Sequence, residues 1–230
     1  DYTLRRQSGR GGRGVVYEAW QGSMDRAGAL KVMPRAVAAD TRAVARFIQE
    51  AQIAGKLHHP NIVRVHGMGV EEQVPYYSME MVEGETVAQI VAHLKEAGPE
   101  GETAFGKANR AGYFEKIADT FADVADGLQH AHSRKVIHRD IKPSNLILDG
   151  DGRLRILDFG LARLEGQEGL TISGDVLGTP QYMSPEQAQR KKIPVDHRTD
   201  VYSLGATLYE LLTLEPPFRG KDHNDTLSQI

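Results

Sequence analysis

The chain has 230 residues, 40% apolar and 26% charged, with a formal net charge of -3. That is enough apolar content for a real core in one large domain or two small lobes, and it argues against a nucleic-acid binder built on a strong positive field. With no cysteine there is no disulfide framework, no thiolate nucleophile and no cysteine-ligated zinc.

Residues 1–35 read as short strands broken by glycine: YTLRR, the cluster GRGGRG, then VVYEAW and AGALKVM, the last closed by Pro34. From Asp40 the period changes. Asp40 or Thr41 caps a predicted helix in which Val44, Phe47, Ala51, Ala54 and Leu57 recur at three- and four-residue steps, ending before HHPN. IVRVHGM and VPYYSMEMV read as strands. VEGET (82–86) reads as a connector, followed by a short helix over 86–95 and an exposed, Gly- and charge-rich excursion over 95–112. Residues 113–132 are strongly helical, with Phe114, Ile117, Phe121, Val124, Leu128 and Ala131 as a core stripe. KVIH leads into NLILDGDGRLRILDFG, two apolar runs around a DGDG turn, which predicts a hairpin. The polar stretch 161–180 has little periodicity. A last helix from about Asp200 carries Val201, Leu204, Leu208, Leu211 and Leu212 before the Pro216-Pro217 stop. The organisation is a small β-rich lobe (1–81) followed by a larger helical lobe (82–230), with the seam near Met81–Gly84, a favoured place for a ligand.

No apolar run reaches 18 residues and the start does not resemble a signal peptide. The chain is therefore expected to be soluble and cytoplasmic, with any membrane anchor left to other parts of a parent. Starting at Asp1 rather than Met, it reads as an excised piece of something longer.

Gly9-x-Gly11-x-x-Gly14 between two strand-like runs gives a strap whose N–H groups can approach phosphate oxygens without a Cβ in the way; its bland reading is a set of turn glycines. A dinucleotide fingerprint is disfavoured, because its last glycine should open a helix and VVYEAW is β-branched and aromatic. Lys31 sits inside the apolar run ALKVM, where an ammonium calls for an anionic partner unless it snorkels from an edge strand. Glu50, on the predicted helix that follows, is the expected partner. In HRDIKPSN (138–145), nearly all polar and carrying Pro143, Asp140 lies close to Lys142, with Asn145 five positions on. The hairpin after it ends in Asp158-Phe159-Gly160. Carboxylate and amide oxygens suit Mg²⁺, so Asn145 and Asp158 are read as its ligands in a site for metal-chelated polyphosphate. Asp140 is then left to orient and deprotonate an attacking hydroxyl, and Lys142 to offset charge on the moving group.

These pieces resemble the eukaryotic-type protein kinase family. The glycine strap with Val16, Ala29-Leu30-Lys31, Glu50, HRDIKPSN, Asp158-Phe159-Gly160, Gly178-Thr179-Pro180, Ser184-Pro185-Glu186 and DVYSLG from Asp200 occur in the family's order, over nearly the whole chain. GTPQYMSPEQA gives the resemblance a bacterial serine/threonine character. The resemblance implies an α+β fold of two lobes: a small β-rich N-lobe with one main helix, and a larger, mostly helical C-lobe missing its last helices. It implies transfer of the ATP γ-phosphoryl group to Ser/Thr hydroxyls of proteins, with Mg²⁺ (Mn²⁺ as a second candidate) as metal. Lys31, Glu50, Asp140, Lys142 and Thr179 would be the catalytic set. Ser8, Gly9, Arg10, Gly11, Gly12, Arg13, Gly14, Val15, Val16, Ala29, Lys31, Met79, Glu80, Met81 and Ile147 would hold the nucleotide. Arg139 would accept a phosphate carried on the 161–178 loop at Thr171 or Ser173, giving activation by autophosphorylation, with self-association as its route; its bland reading is a structural ion pair.

Three positions depart from the family's habit. Ser8 stands where a branched aliphatic usually covers the adenine, Ala54 is smaller than the usual Leu, and Ser184 replaces Ala, a change expected to matter little. Glu186 is expected to lack an Arg partner from the helices beyond Ile230, which could leave the piece inactive alone. The alternatives are a pseudokinase or nucleotide-binding scaffold, and a small-molecule phosphotransferase. The first is disfavoured by the presence of Lys31, Asp140 and Asp158, the second by the GTP and SPE blocks.

Overall fold

A computed structural model describes residues 1–11, 14–98, 101–107, 111–159, 179–189 and 194–230, with the backbone alone of 163–164. Gly12, Arg13, Gly160, Thr171, Ser173 and Gly178 lie outside the described residues. The chain divides into two compact units: Asp1–Glu83 with Asp158–Gly160, and Gly84–Leu157 with Leu161–Ile230.

The first unit is built on an antiparallel sheet of β1 (Tyr2–Gly11), β2 (Gly14–Gln21), β3 (Arg26–Val32), β4 (Val65–Glu71) and β5 (Val74–Met79), in the order β1-β2-β3-β5-β4. A single turn, α1 (Arg35–Ala38), leads to the main helix α2 (Thr41–Ala54). Asp40 starts α2 as expected, its carboxylate accepting the Arg42 N–H at 2.9 Å. The buried side of α2 carries Phe47, Glu50, Ala51, Ile53 and Ala54, and Leu57 is buried just beyond the helix end. Phe47 packs on Tyr77 with ring centroids 5.1 Å apart, in a core shared with Met33 and Ala51. Burying each of those rings contributes about 2–3 kcal/mol. The same face that buries Phe47 thus carries Glu50 toward the sheet.

The second unit opens with β6 (Gly84–Thr86), which runs straight into α3 (Val87–Ala97). VEGET is therefore more than a connector. Gly84 pairs with Asp149 and Thr86 with Ile147, and a Cβ on Gly84 would stand 2.0 Å from the Leu148 carbonyl oxygen, so only glycine lets the backbones meet. Thr86 then caps α3 in a reciprocal box with Gln89.

Two expectations fail next. The 95–112 excursion holds a small hairpin, β7 (Glu102–Thr103) with β8 (Gly106–Lys107), and Phe105 at its turn is only 3% exposed. Phe105 meets Tyr113 edge-on and Lys116 donates to the Ala104 carbonyl at 2.6 Å, so the hairpin turn is tied to the first turns of α4. In α4 (Tyr113–Ser133) the core stripe begins at buried Tyr113, while Phe114 is 60% exposed. One residue is about 100° of helix rotation, which carries Phe114 off the stripe that Ile117, Val124 and Leu128 define.

Strand β9 (Val136–Ile137) precedes the predicted hairpin of β10 (Leu146–Asp149) and β11 (Leu154–Ile156). Its turn is closed by Asp149, whose Oδ1 accepts the N–H groups of Asp151 and Arg153, with Gly152 at φ 76°. The short β12 (Arg163–Leu164) pairs with β9. Helices α5 (Pro185–Ala188), α6 (Arg198–Thr213) and α7 (His223–Gln229) complete the unit.

The buried face of α6 departs from the apolar set read from sequence: Asp200, Ser203, Thr207, Glu210 and Leu211 turn inward, while Val201 and Leu212 are exposed. Asp200 sets that rotation, since residues three, seven and ten further on follow it to the same side. Among the described residues no helix is long and apolar enough to cross a membrane.

Candidate functional site

Among the described residues of the strap, Gly9 stands opposite Val16, Arg10 opposite Val15 and Gly11 opposite Gly14. Gly14 opens strand β2 and not a helix, in keeping with the rejection of a dinucleotide fingerprint. A Cβ at Gly11 would meet nothing within 4 Å, whereas one at Gly14 would lie 3.0 Å from Lys31 Cγ and 3.3 Å from the Val32 carbonyl. Gly14 thus leaves the space through which the Lys31 stem runs. Ser8 and Arg10 are exposed, and the Ser8 hydroxyl donates to the Val16 carbonyl at 3.3 Å. Ala29 is buried and pairs with Met79 across β3 and β5. The Glu80 N–H donates to the Arg64 carbonyl at 2.9 Å, so that donor is engaged within the first unit. Ile147 belongs to the second unit, buried on β10.

Lys31 is 5% exposed, and its ammonium donates to Glu50 Oε1 at 2.6 Å and Asp158 Oδ1 at 2.7 Å. The pair expected from an apolar strand with an embedded lysine forms, with a second carboxylate beside it. Burial opposes the charge on Lys31, yet Asp158 and Glu50 together outweigh it and hold its pKa above the ordinary value. Glu50 is pushed the other way from a normal carboxylate, up to about 7, by burial first and by the Asp158 charge second, against the pull of Lys31. Tyr77, which the sequence reading passed over, donates its hydroxyl to the same Glu50 oxygen at 2.5 Å. The signal was present: alternation along VPYYSM turns Tyr77 inward, and a buried phenol needs an acceptor.

In the second unit the 138–145 loop is held by Asp200, which is fully buried. Its Oδ2 accepts the His138 N–H at 2.8 Å and lies 2.7 Å from His132 Nε2, and its Oδ1 accepts the Arg139 N–H at 2.7 Å. His138, also fully buried, accepts the Asp140 N–H at Nδ1, so its Nε2 carries the proton that meets the Leu157 carbonyl at 3.1 Å. Arg139 has φ 66°, a left-handed conformation for a non-glycine residue. Asp140 Oδ2 receives Lys142 Nζ at 3.0 Å and Asn145 Nδ2 at 3.3 Å. Asn145 Nδ2 also donates to the Asp140 carbonyl at 2.8 Å, and Lys142 Nζ reaches Thr179 Oγ1 at 3.5 Å. Asp140, Lys142, Asn145 and Thr179 are therefore brought together, with Pro143 starting the 3₁₀ turn that folds Asn145 back.

Ser184 is misjudged by size alone. It is fully buried, caps α5 by accepting the Gln187 N–H, and touches the Thr199 hydroxyl at 2.6 Å; alanine could do neither.

The family model described as Protein kinase domain matches residues 2–230. The chain belongs to the protein kinase domain family. A probable serine/threonine-protein kinase of Streptomyces coelicolor is 37% identical to this kinase domain over 225 residues, covering 95% of the chain and 31% of that relative. The serine/threonine-protein kinase PrkC of Bacillus subtilis is 34% identical over 220 residues, 96% of the chain and 31% of its own length. The serine/threonine-protein kinase PknB of Mycobacterium tuberculosis is 37% identical over 225 residues, 95% of the chain and 33% of its own length. The kinase domain thus spans about a third of the length of these curated relatives. The bacterial serine/threonine character read from GTPQYMSPEQA agrees with them.

Proposed function

We propose that the protein transfers the γ-phosphoryl group of ATP–Mg²⁺ to serine and threonine hydroxyls of proteins, itself included. The observation that carries this reading is the convergence of Lys142 and Asn145 on the Asp140 carboxylate, a base oriented by a cation and an amide within hydrogen-bond reach. Asp140 accepts the proton of the attacking hydroxyl. Lys142 stays close enough to offset charge on the group in transit, and Thr179 steadies Lys142. In the first unit, Glu50 and Tyr77 fix the direction of the Lys31 ammonium, whose task is to meet phosphate oxygens.

The donor chemistry suits the implied cofactor. Asn145 and Asp158 are assigned as hard oxygen donors, and the strap keeps its Cβ-free approach at Gly9, Gly11 and Gly14. Bound Mg²⁺ would supply positive charge against the phosphate oxygens. Ser8, Arg10, Gly12, Arg13, Val15, Val16, Ala29, Met79, Glu80, Met81 and Ile147 keep their assignment to the nucleotide. Thr171 and Ser173 are proposed as autophosphorylation sites read by Arg139, with self-association as the route.

The test is transfer of labelled γ-phosphate to the full-length protein and to a generic basic protein, beside Asp140→Asn. Loss of incorporation in the variant is expected. Equal incorporation would remove Asp140 from its role.

A further inference from the structure

We propose that Gln187 is a positioning residue for Asp140, acting through the peptide plane that joins Arg139 to Asp140. The proposal rests on the reading above, in which Asp140 is the base. Gln187 lies on α5, and both ends of its side-chain amide are engaged. Its Oε1 accepts the Ser184 N–H at 3.1 Å and the Thr199 hydroxyl at 2.7 Å, with the Ser184 hydroxyl at 3.3 Å. Its Nε2 donates to the Arg139 carbonyl at 3.0 Å. A backbone N–H only donates and a carbonyl only accepts, so the amide fits in one orientation alone.

The Arg139 carbonyl and the Asp140 N–H are two ends of one planar unit. Gln187 holds the first, and His138 Nδ1 holds the second at 3.2 Å. Asp200 holds the N–H on the other side of Arg139. A residue at φ 66° persists only where its surroundings over-determine it, and these three bonds do so. The direction in which the Asp140 side chain leaves the backbone depends on that plane. Gln187 is in turn anchored by Ser184 and Thr199, which are wholly buried and in contact with each other. The family resemblance gave Gln187 no role; the bond to Arg139 supplies one.

Gln187→Glu keeps the oxygen that Ser184 and Thr199 use and replaces the donor with a second oxygen facing the Arg139 carbonyl. In the full-length protein, kcat for transfer to a generic basic protein is expected to fall roughly ten- to a hundredfold, the scale set by misplacing a reacting group. KM for ATP is expected to stay within about twofold, since the lost contact acts on the chemical step. Thr199→Val loosens Gln187 without touching Arg139 and is expected to lower kcat by less. Amide exchange at Asp140 is expected to quicken in both variants. Gln187→Glu with unchanged kcat and unchanged Asp140 exchange overturns the proposal. So does exchange that quickens throughout the second unit, which would make Gln187 a general packing residue. If the wild-type protein transfers no phosphate, the kinase reading fails, and the hold on the Arg139–Asp140 plane then stands or falls on the exchange result.

Discussion

Tyr77 and Lys31 donate to the same oxygen of Glu50, at 2.5 and 2.6 Å, so one carboxylate atom ties α2 to two neighbouring strands. Removing the phenol hydroxyl should leave a buried charge short of a donor. Tyr77→Phe is expected to lower the unfolding free energy by about 1.5–3 kcal/mol, the range for hydrogen bonds to charged groups. Urea titration of the two proteins checks it, and an unchanged midpoint would mean that Lys31 alone satisfies Glu50.

Gly14 and Gly11 make a matched pair of probes. Gly14→Ala forces a methyl against a Lys31 stem that two carboxylates hold in place, whereas Gly11→Ala enters open space. ATP binding measured by calorimetry should weaken about tenfold or more in the first variant, a loss of about 1.4 kcal/mol. The second meets no atom of the described residues, so its urea midpoint should match that of wild type, and any loss of ATP affinity in it reports the approach of the phosphates to the strap.

Asp200→Asn offers an amide nitrogen where a second oxygen is needed, since both oxygens of Asp200 accept backbone N–H groups. One N–H must then face another donor in a fully buried site. A stability loss of about 3 kcal/mol is expected, with transfer activity falling alongside it. Thermal unfolding and labelled-phosphate transfer read the two effects separately.

Tyr182 gives a pH dependence. Burial first, and then Glu210, to which its hydroxyl donates, push the Tyr182 pKa well above the ordinary tyrosine value. The folded protein therefore keeps this proton after the unfolded chain has begun to lose it. Its contribution is complete below about pH 10 and declines as the pH rises beyond that. Tyr113 and Tyr202 are raised as well, both by burial first. Tyr182→Phe is thus expected to shrink, without abolishing, the fall in urea midpoint between pH 9 and pH 11, a window chosen to span about pH 10. An equal fall in both proteins would show that the phenol is not the group titrating.

Much of the chemistry is legible in the sequence, because charged groups in apolar runs must find partners. Lys31 required an anion and Glu50 stood ready on the right face of α2. What escaped were residues whose importance lies in hydrogen bonds rather than bulk. Ser184 looked like a small-for-small change, yet its hydroxyl caps a helix and meets Thr199. Phe105 and Phe114 were assigned in opposite senses to what the fold does, since one sits at a turn without periodicity and the other at the margin of a stripe. The inward face of α6 was misread because a single acid, Asp200, governs its rotation.

The burial of Ser184, Thr199, Ser203 and Thr207 reaches into how phosphorylation maps should be interpreted. These hydroxyls are sealed from any neighbouring catalytic centre while the domain stays closed. A modified peptide carrying one of them would testify to a molecule that had opened beforehand, making such marks reporters of damage instead of signalling.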